Sequence, residues 1–459
     1  MATASPCAKR SKQPTTHSGA DEIAFDFGHD GPETILLKLG ELAITDALTI
    51  TGDGADWLTI DASGNDPTPD DDNYDGSRVF NVDDGNADVW IEVAISGLTL
   101  TGGDAPGGSF LGGGGGAIFN REDLTVGTST ISGNASRYGG GIRNYAGTLT
   151  VVGSTISNNS AENGGGIRNN PPRMPSPSVL EVIDSIVSDN TASDSGGGIS
   201  SIDFLSVTNS QFFRNSATTG SGGGILSAGT ASISHSIVSS NVADRGGGVA
   251  ILAGDATIAW STVSDNSAVG NGGGLVFYSA GEVSYSTVSG NSTAQSGGGV
   301  VIWREATIAS STVSGNYAAQ YGGGVLVLGT GNLIEQSTIT QNKTNGGGGG
   351  IWNTNSGTEV RASIVSGNVG GDDVGRDVAT SAFVSLDHNL VGGGNATGDF
   401  FEPGDQVGVP DPMLGPLANN GGPTETHALL PGSPAVDAGV AAGIVFDQRG
   451  RTICAHDWS

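Results

Sequence analysis

One block constrains this chain more than any other. Ser261-Thr-Val-Ser-Asp-Asn266, followed by Gly272-Gly-Gly-Leu275, returns in some version about every 25 residues between residues 124 and 368. Set on its last residue, the block occurs ten times, ending at Asn134, Asn159, Asn190, Asn215, Asn241, Asn266, Asn291, Asn316, Asn342 and Asn368. Three residues before each Asn stands a β-branched or aromatic residue, from Ile131 and Ile156 through Phe212 and Val263 to Val365. Eight before it runs a Val/Ile column from Val126 to Val360, and five before it is always Ser, from Ser129 to Ser363. One core position per turn, with β-formers held between glycine corners, describes strands stacked in parallel about 4.8 Å apart around an enclosed core. Helical solenoids also repeat, but glycine triplets and Val/Ile/Thr/Ser strings oppose a helix. The chain is therefore expected to be all-β, a parallel β-helix of about 13 coils with an N-terminal cap and a C-terminal tail.

The polar columns fit that picture. An Asn at an inward corner can exchange amide hydrogen bonds with the Asn of the coil above and below, so a buried polar column is satisfied by its own repetition. The glycine runs, from Gly139–Gly141 to Gly348–Gly350, supply corners where positive φ is free and the next coil approaches closely. Alternation on the strand after each triplet points Leu275 and Phe277, or Val300 and Ile302, inward. The outward positions are polar or mixed early (Arg143, Tyr145, Arg168, Asn170) and apolar later: Ala250 and Leu252, Val276 and Tyr278, Val301 and Trp303, Leu326 and Leu328, then Trp352. Stacked, these form an expected apolar stripe of several hundred Å². Its cover is the chain's own residues 400 to 459, a protein partner or second copy, or a glycan. A further column, six before each Asn, places His235, Trp260 and Tyr285 on successive coils, where they stack on one another or on sugar rings.

The formal net charge is −29, with 18 Lys and Arg in 459 residues. Nucleic acid and polybasic membrane contacts are excluded on that balance. Cys7 and Cys454 are the only cysteines, so no disulfide framework is expected. No apolar run reaches the roughly 18 residues of a transmembrane segment, and residues 1 to 10 lack the apolar stretch of a signal peptide. Export is expected by another route or from a start upstream. Residues 1–20 read as disordered, 21–120 as irregular N-terminal coils and cap, 121–395 as regular repeats, and 396–459 as a C-terminal cap or tail.

Two insertions interrupt the register. Asn170-Pro-Pro-Arg-Met-Pro-Ser-Pro-Ser178 lengthens one coil and lies outside the stacked strands. Asp66-Pro-Thr-Pro-Asp-Asp-Asp-Asn-Tyr-Asp-Gly76 contains Asp71-x-Asn73-x-Asp75-Gly76, the first half of a calcium loop. Position twelve of such a loop is Val82 instead of Glu, so the alternatives are calcium held by Asp71, Asn73 and Asp75 and a solvated acidic insertion. Polysaccharide cleavage needs converging acids. Asp123, Asp203, Asp255 and Glu305 near one corner, with Glu181, Glu282 and Glu359 on the adjoining strand, are scattered among neutral coils, and Asp372-Asp373 is the one Asp pair of the late coils. No catalytic residue is assigned.

Repeats pairing Gly-Gly-Gly-Ile-Arg-Asn (139–144 and 164–169) with Phe212-x-x-Asn215 resemble the polymorphic outer membrane protein repeats of bacterial surface proteins. Residues 40–64, the tail Gly421-Gly-Pro-Thr-Glu-Thr-His-Ala-Leu-Leu-Pro-Gly-Ser-Pro-Ala-Val-Asp-Ala-Gly439 and Asp447-Gln-Arg-Gly450 resemble the choice-of-anchor Q family, often found with a CSLREA motif that this chain lacks. Thr452-Ile-Cys-Ala-His-Asp-Trp-Ser459 also departs from that family's usual ending. The resemblance implies an exported, right-handed parallel β-helix. The function expected is a non-catalytic extracellular or cell-surface scaffold, adhesive or ligand-binding; the alternative is a carbohydrate-active lyase or hydrolase on the same fold.

Overall fold

The computed structural model describes residues 9–10, 21–27, 31–69, 71–86, 88–106, 113–171, 178–355, 357–440 and 445–452. The chain is an all-β parallel solenoid of about 14 turns. Among the described residues the only helical segments are two 3-10 turns, Ser63–Asn65 and Thr397–Asp399. The molecule comprises two compact units, residues 1–218 and 219–459.

A regular coil of the first unit runs through four strands: Gly147–Val152, Thr155–Ser157, Ser160–Asn163 and Ile167–Asn169. Each pairs in parallel with its counterpart one coil away and in like-with-like register, Leu124 on Leu149, Ile131 on Ile156 and Ile142 on Ile167. The inward residues Leu149, Val151, Ile156 and Ile167 are fully enclosed; burying a side chain of that size contributes about 1.5–3 kcal/mol over leaving it exposed. Slipping one residue would turn each of them to solvent, which is why the period specifies the register. The irregular early coils stack on the same sheets, Leu48–Thr51 pairing with Glu92–Ser96 and Glu33–Leu36 with Leu58–Asp61. Of residues 1–20 only Lys9–Arg10 are described; they pair antiparallel with Ile23 and Ala24, so that part of the expected disorder is replaced by a short strand. Most of the proline insertion, 172–177, lies outside the described residues.

The Asn column is interior. Asn134 Nδ2 donates to Asn159 Oδ1 (3.0 Å), Asn159 to Asn190 (2.9 Å) and Asn190 to Asn215 (3.0 Å), and each backbone N–H donates to the same oxygen. The residue before each Asn, and the one before each Ser, takes the left-handed conformation: Asn158 and Arg214 at φ 55°, Asp184 at φ 50°. That costs a non-glycine residue about 1–2 kcal/mol, and the hydrogen bonds of the following Ser or Asn offset it, as when Ser154 N–H donates to Ser185 Oγ (3.1 Å). A second amide ladder lies on the strand after the glycines, Asn120 to Asn144 (2.8 Å), Asn144 to Asn169 (2.9 Å) and Asn169 to Ser201 Oγ (3.0 Å).

The second unit repeats the plan, as in Ala256–Ala259, Thr262–Ser264, Ser267–Ala268 and Leu275–Phe277. Its Asn ladder runs from Asn241 through Asn266, Asn291, Asn316 and Asn342 to Asn368, with amide contacts of 2.9–3.0 Å. The carboxylate of Asp373 closes it, Oδ1 accepting both the backbone N–H and Nδ2 of Asn368 at 2.8 Å.

The tail of this unit folds back on its coils, but not over the expected stripe. It lies on the sheet of the Thr-Val-Ser strands. Thr287 Oγ1 donates to Glu425 O (2.6 Å), Thr312 Oγ1 to Gln448 Oε1 (2.8 Å), and Gln448 Nε2 to Ser286 O (3.1 Å). Thr287, Thr312 and Ser314 are buried there, whereas the equivalent Thr262 and Ser264 stay half-exposed. Thr and Ser hydroxyls offer the tail's backbone hydrogen-bond partners that an apolar stripe cannot.

Candidate functional site

The strands following the glycine triplets of the second unit carry the stripe expected from alternation, in a modified form. The first glycine of each triplet is left-handed, Gly272 at φ 76° and Gly297 at φ 73°. It turns the chain back so tightly that a Cβ at Gly272 would lie 2.1 Å from Val276 Cγ2, and one at Gly297 equally near Val301 Cγ2. Val276, Val301 and Leu326 are therefore buried although they point outward, with Tyr278, Leu328 and Trp352 packed half-buried against them. The continuous exposed stripe is thus replaced by a narrower feature, because alternation sets direction but not what folds over the side chain.

What remains open is a groove of about 340 Å³. Trp303 and Tyr321, 42% and 44% exposed, rise from its walls. Trp352, Leu326 and Leu328 form apolar lining, and Asn271, Gln295, Gln320 and Asp377 line it with amides and a carboxylate. The rings are held in pairs, Tyr321 with Trp352 (4.8 Å between centroids, 26° between planes) and Tyr278 with Trp303 (5.7 Å, 17°). Paired rings lose little freedom on binding and present flat apolar faces beside fixed polar groups.

The equivalent outward positions of the first unit are filled. Arg143 is buried, donates Nη1 to Gly113 O, and lies over the rings of Tyr145 (4.8 Å) and Tyr138 (5.0 Å). Burial lowers its guanidinium to about 10, still cationic at neutral pH. Arg168, lowered to about 10 for the same reason, donates to Ser200 Oγ (2.5 Å).

His235, Trp260 and Tyr285 do form a stack, Trp260 on Tyr285 at 4.2 Å and 4°, His235 on Trp260 at 6.3 Å and 14°. All three are left-handed corner residues, with φ between 51° and 53°. The tail reaches this stack, since Thr424 Oγ1 donates to Tyr285 O (3.1 Å) and Gly450 lies against the Trp260 ring. The tail motif is thus a dock: Thr424, Glu425, His427 and Gln448 make its bonds to the coils. Folding back of residues 400–459 over the later coils is among the expectations from sequence; the face they land on, the Thr-Val-Ser sheet, is not.

The acids do not converge on a cleavage site as spaced in the sequence. Asp123 Oδ1 accepts the N–H of Thr148 (2.9 Å) and Asp203 Oδ2 that of Ser178 (2.9 Å), both capping a neighbouring coil. Asp373 caps the Asn ladder, and Asp372 accepts the N–H of Asn395 (3.0 Å). One shallow groove of about 400 Å³ in the first unit holds Glu92 and Asp123, register partners on adjacent coils, among Thr49, Thr125, Thr148 and Thr150. In the acidic insertion, Asn73 Oδ1 accepts the N–H of Asp75 (3.1 Å) and its amide donates to Thr68 (2.6 Å). Asp75 is brought beside Asp66 and Asp104, and Asp71 is not in that group.

The fold is a β-solenoid whose second unit carries a small aromatic-lined groove. No family model matches the sequence, and no curated protein matches it. Among solved structures the chain is similar to PfbA, a surface adhesin of Streptococcus pneumoniae: 13% identical, TM-score 0.38, covering 76% of this chain and 85% of that one. No described helix is long and apolar enough to cross a membrane.

Proposed function

We propose that the protein is a non-catalytic extracellular or cell-surface scaffold that binds carbohydrate in the groove of its second unit. The observation that carries this reading is the conjunction of Trp303, Tyr321 and Trp352 with the amides of Asn271, Gln295 and Gln320. Pyranose rings present apolar C–H faces to aromatic planes and hydroxyls to amides, and a shallow groove accepts a chain without enclosing it. The acidic balance of the chain, −29, disfavours anionic glycans and points to neutral ones. The resemblance to exported repeat proteins supports the location.

A glycan array with the intact protein, run beside a reducing-sugar release assay, tests it. Trp303→Ala and Trp352→Ala should each weaken glycan binding about tenfold, roughly 1.4 kcal/mol, with melting temperature held within a few degrees. Absence of glycan binding, or parental binding by both variants, refutes the reading. Release of reducing ends that is lost in Glu92→Gln supports the hydrolase alternative.

A further inference from the structure

Two groups of carboxylates converge in the first unit, and they differ in one respect. Asp83, Asp84 and Glu122 bring an oxygen each within 4.8 Å of one another. Glu122 is fully buried, yet its Oε1 accepts the N–H of Asp84 (3.1 Å) and its Oε2 that of Ile91 (3.0 Å), and Asp83 pairs with Arg121 (3.1 Å). The chain itself satisfies that group.

Asp66, Asp75 and Asp104 also bring an oxygen each within 4.8 Å. Asp66 Oδ1 accepts the N–H of Thr68 (2.8 Å), and Asp75 accepts from Thr68 Oγ1 (3.2 Å). Asp104, 4% exposed, accepts the N–H of Asp75 at Oδ2 (3.0 Å) with the backbone N–H groups of Tyr74 and Gly76 nearby, while its enclosed Oδ1 makes no full hydrogen bond among the described residues. No described Lys, Arg or His forms an ion pair with any of the three. Gly76 lies between two of them: a Cβ there would come within 3.0 Å of Asp66 Cβ and 3.1 Å of Asp104 Cβ. A buried carboxylate with one oxygen short of a full hydrogen bond, set beside two further carboxylates, is a costly arrangement unless a cation completes it.

We propose that Asp66, Asp75 and Asp104 bind a calcium ion that fastens the 66–76 loop to the start of the strand Asp104–Ala105. All three donors are carboxylate oxygens, the choice of a hard cation, with no nitrogen or sulfur to favour zinc. Calcium–oxygen distances of about 2.3–2.6 Å let one ion touch oxygens up to about 5 Å apart, whereas magnesium at about 2.1 Å spans less and demands octahedral order. Loop-borne side chains suit calcium's tolerance of irregular geometry. The geometry departs from the Asp71-x-Asn73-x-Asp75 spacing because Asn73 is occupied within its own turn.

The test is titration calorimetry of the chelator-treated full chain with calcium chloride and, separately, magnesium chloride, alongside thermal melts with and without calcium. One calcium per chain and a higher melting temperature in calcium are expected. Asp104→Asn should abolish the heat, Asp75→Asn, at an exposed position, should weaken binding at least tenfold, and Asp71→Asn should titrate like the parent. In chelator, Asp104→Asn should melt at or above the parent, because it removes an unpaired buried charge; a merely structural aspartate would give a lower value. No calcium heat, equally tight magnesium, or parental titration by both Asp104→Asn and Asp75→Asn overturns the site.

Discussion

Removing one rung of the Asn ladder shows how unevenly its members are held. Asn266 Oδ1 accepts two donors from the coil before, Asn241 N–H (2.9 Å) and Asn241 Nδ2 (3.0 Å), while its own Nδ2 donates to Val238 O (2.9 Å) and Asn291 Oδ1 (3.0 Å). Asn266→Ala therefore strands two buried donors and leaves Val238 O without its amide partner. Each unsatisfied buried group costs about 1–3 kcal/mol, so the variant should lose about 3 kcal/mol locally. Asn134 sits at the ladder's N-terminal end, where its Oδ1 accepts a single donor, Gly103 N–H (3.0 Å). Asn134→Ala strands that one donor, with Leu100 O and Ser132 O losing its amide (3.1 and 3.0 Å), and should cost about one stranded donor less than Asn266→Ala. Repeat proteins open in segments, so hydrogen exchange read peptide by peptide is the suitable assay. Protection of the Asn241 amide should fall on the order of a hundredfold in Asn266→Ala, with a smaller loss at Gly103 in Asn134→Ala. Equal losses, or an unchanged Asn241 amide, refute the view that the side-chain oxygens carry this column.

Three further outcomes follow from the tail and the corners. Gln448→Ala removes the side chain that donates to Ser286 O, Thr287 Oγ1 and Thr424 Oγ1 and accepts from Thr312, so limited proteolysis should cut residues 424–451 several times faster while the coils stay intact. His427 faces Gly415 O at Nδ1 (2.7 Å) and Ser314 Oγ at Nε2 (2.8 Å); a carbonyl only accepts, so the proton sits on Nδ1 and the Ser314 hydroxyl donates to Nε2. Burial holds this imidazole below the usual histidine range. The folded form then binds protons less readily than the unfolded, so docking is at full strength above about pH 6.5 and is lost as pH falls through the lowered value; His427→Gln should flatten that dependence in the same proteolysis assay. Trp260→Gly relieves a left-handed corner worth about 1–2 kcal/mol and removes stacking worth about 0.5–1.5 kcal/mol, so its net stability change in a denaturant melt should stay within about 1 kcal/mol; a loss above about 3 kcal/mol would show that the stack anchors the tail.

The repeat made most of the fold legible. Val263, Asn266 and Ser261 recur at fixed offsets, and stacking converts offset directly into neighbour, so the inward columns and the interior Asn ladder can be read from spacing. Features that depend on one coil or on segments far apart could not be read that way. Val276 points outward as alternation requires, yet Gly272 folds over it. The landing face of the tail depends on Thr287 and Thr312 offering hydroxyls, a match visible only once both segments are placed. The groove joins residues from several coils that share no single column, and Asp66, Asp75 and Asp104 meet because an insertion returns to the coil. The second amide ladder was within reach: Asn120, Asn144 and Asn169 occupy one inward position.

Within each unit the links of the main ladder donate toward the C-terminal neighbour and accept from the N-terminal one, so the column has a direction. An interior coil brings one donor set and one acceptor and leaves the count unchanged, which makes whole-coil duplication or deletion neutral for hydrogen bonding. The ends are not interchangeable. The last rung needs an acceptor, and Asp373 supplies it to Asn368; the first needs a donor, and Gly103 N–H supplies it to Asn134. A whole interior coil can therefore be added or removed with the ladder's hydrogen bonds intact, whereas removing the segment that carries Asp373 leaves the last Asn without its acceptor.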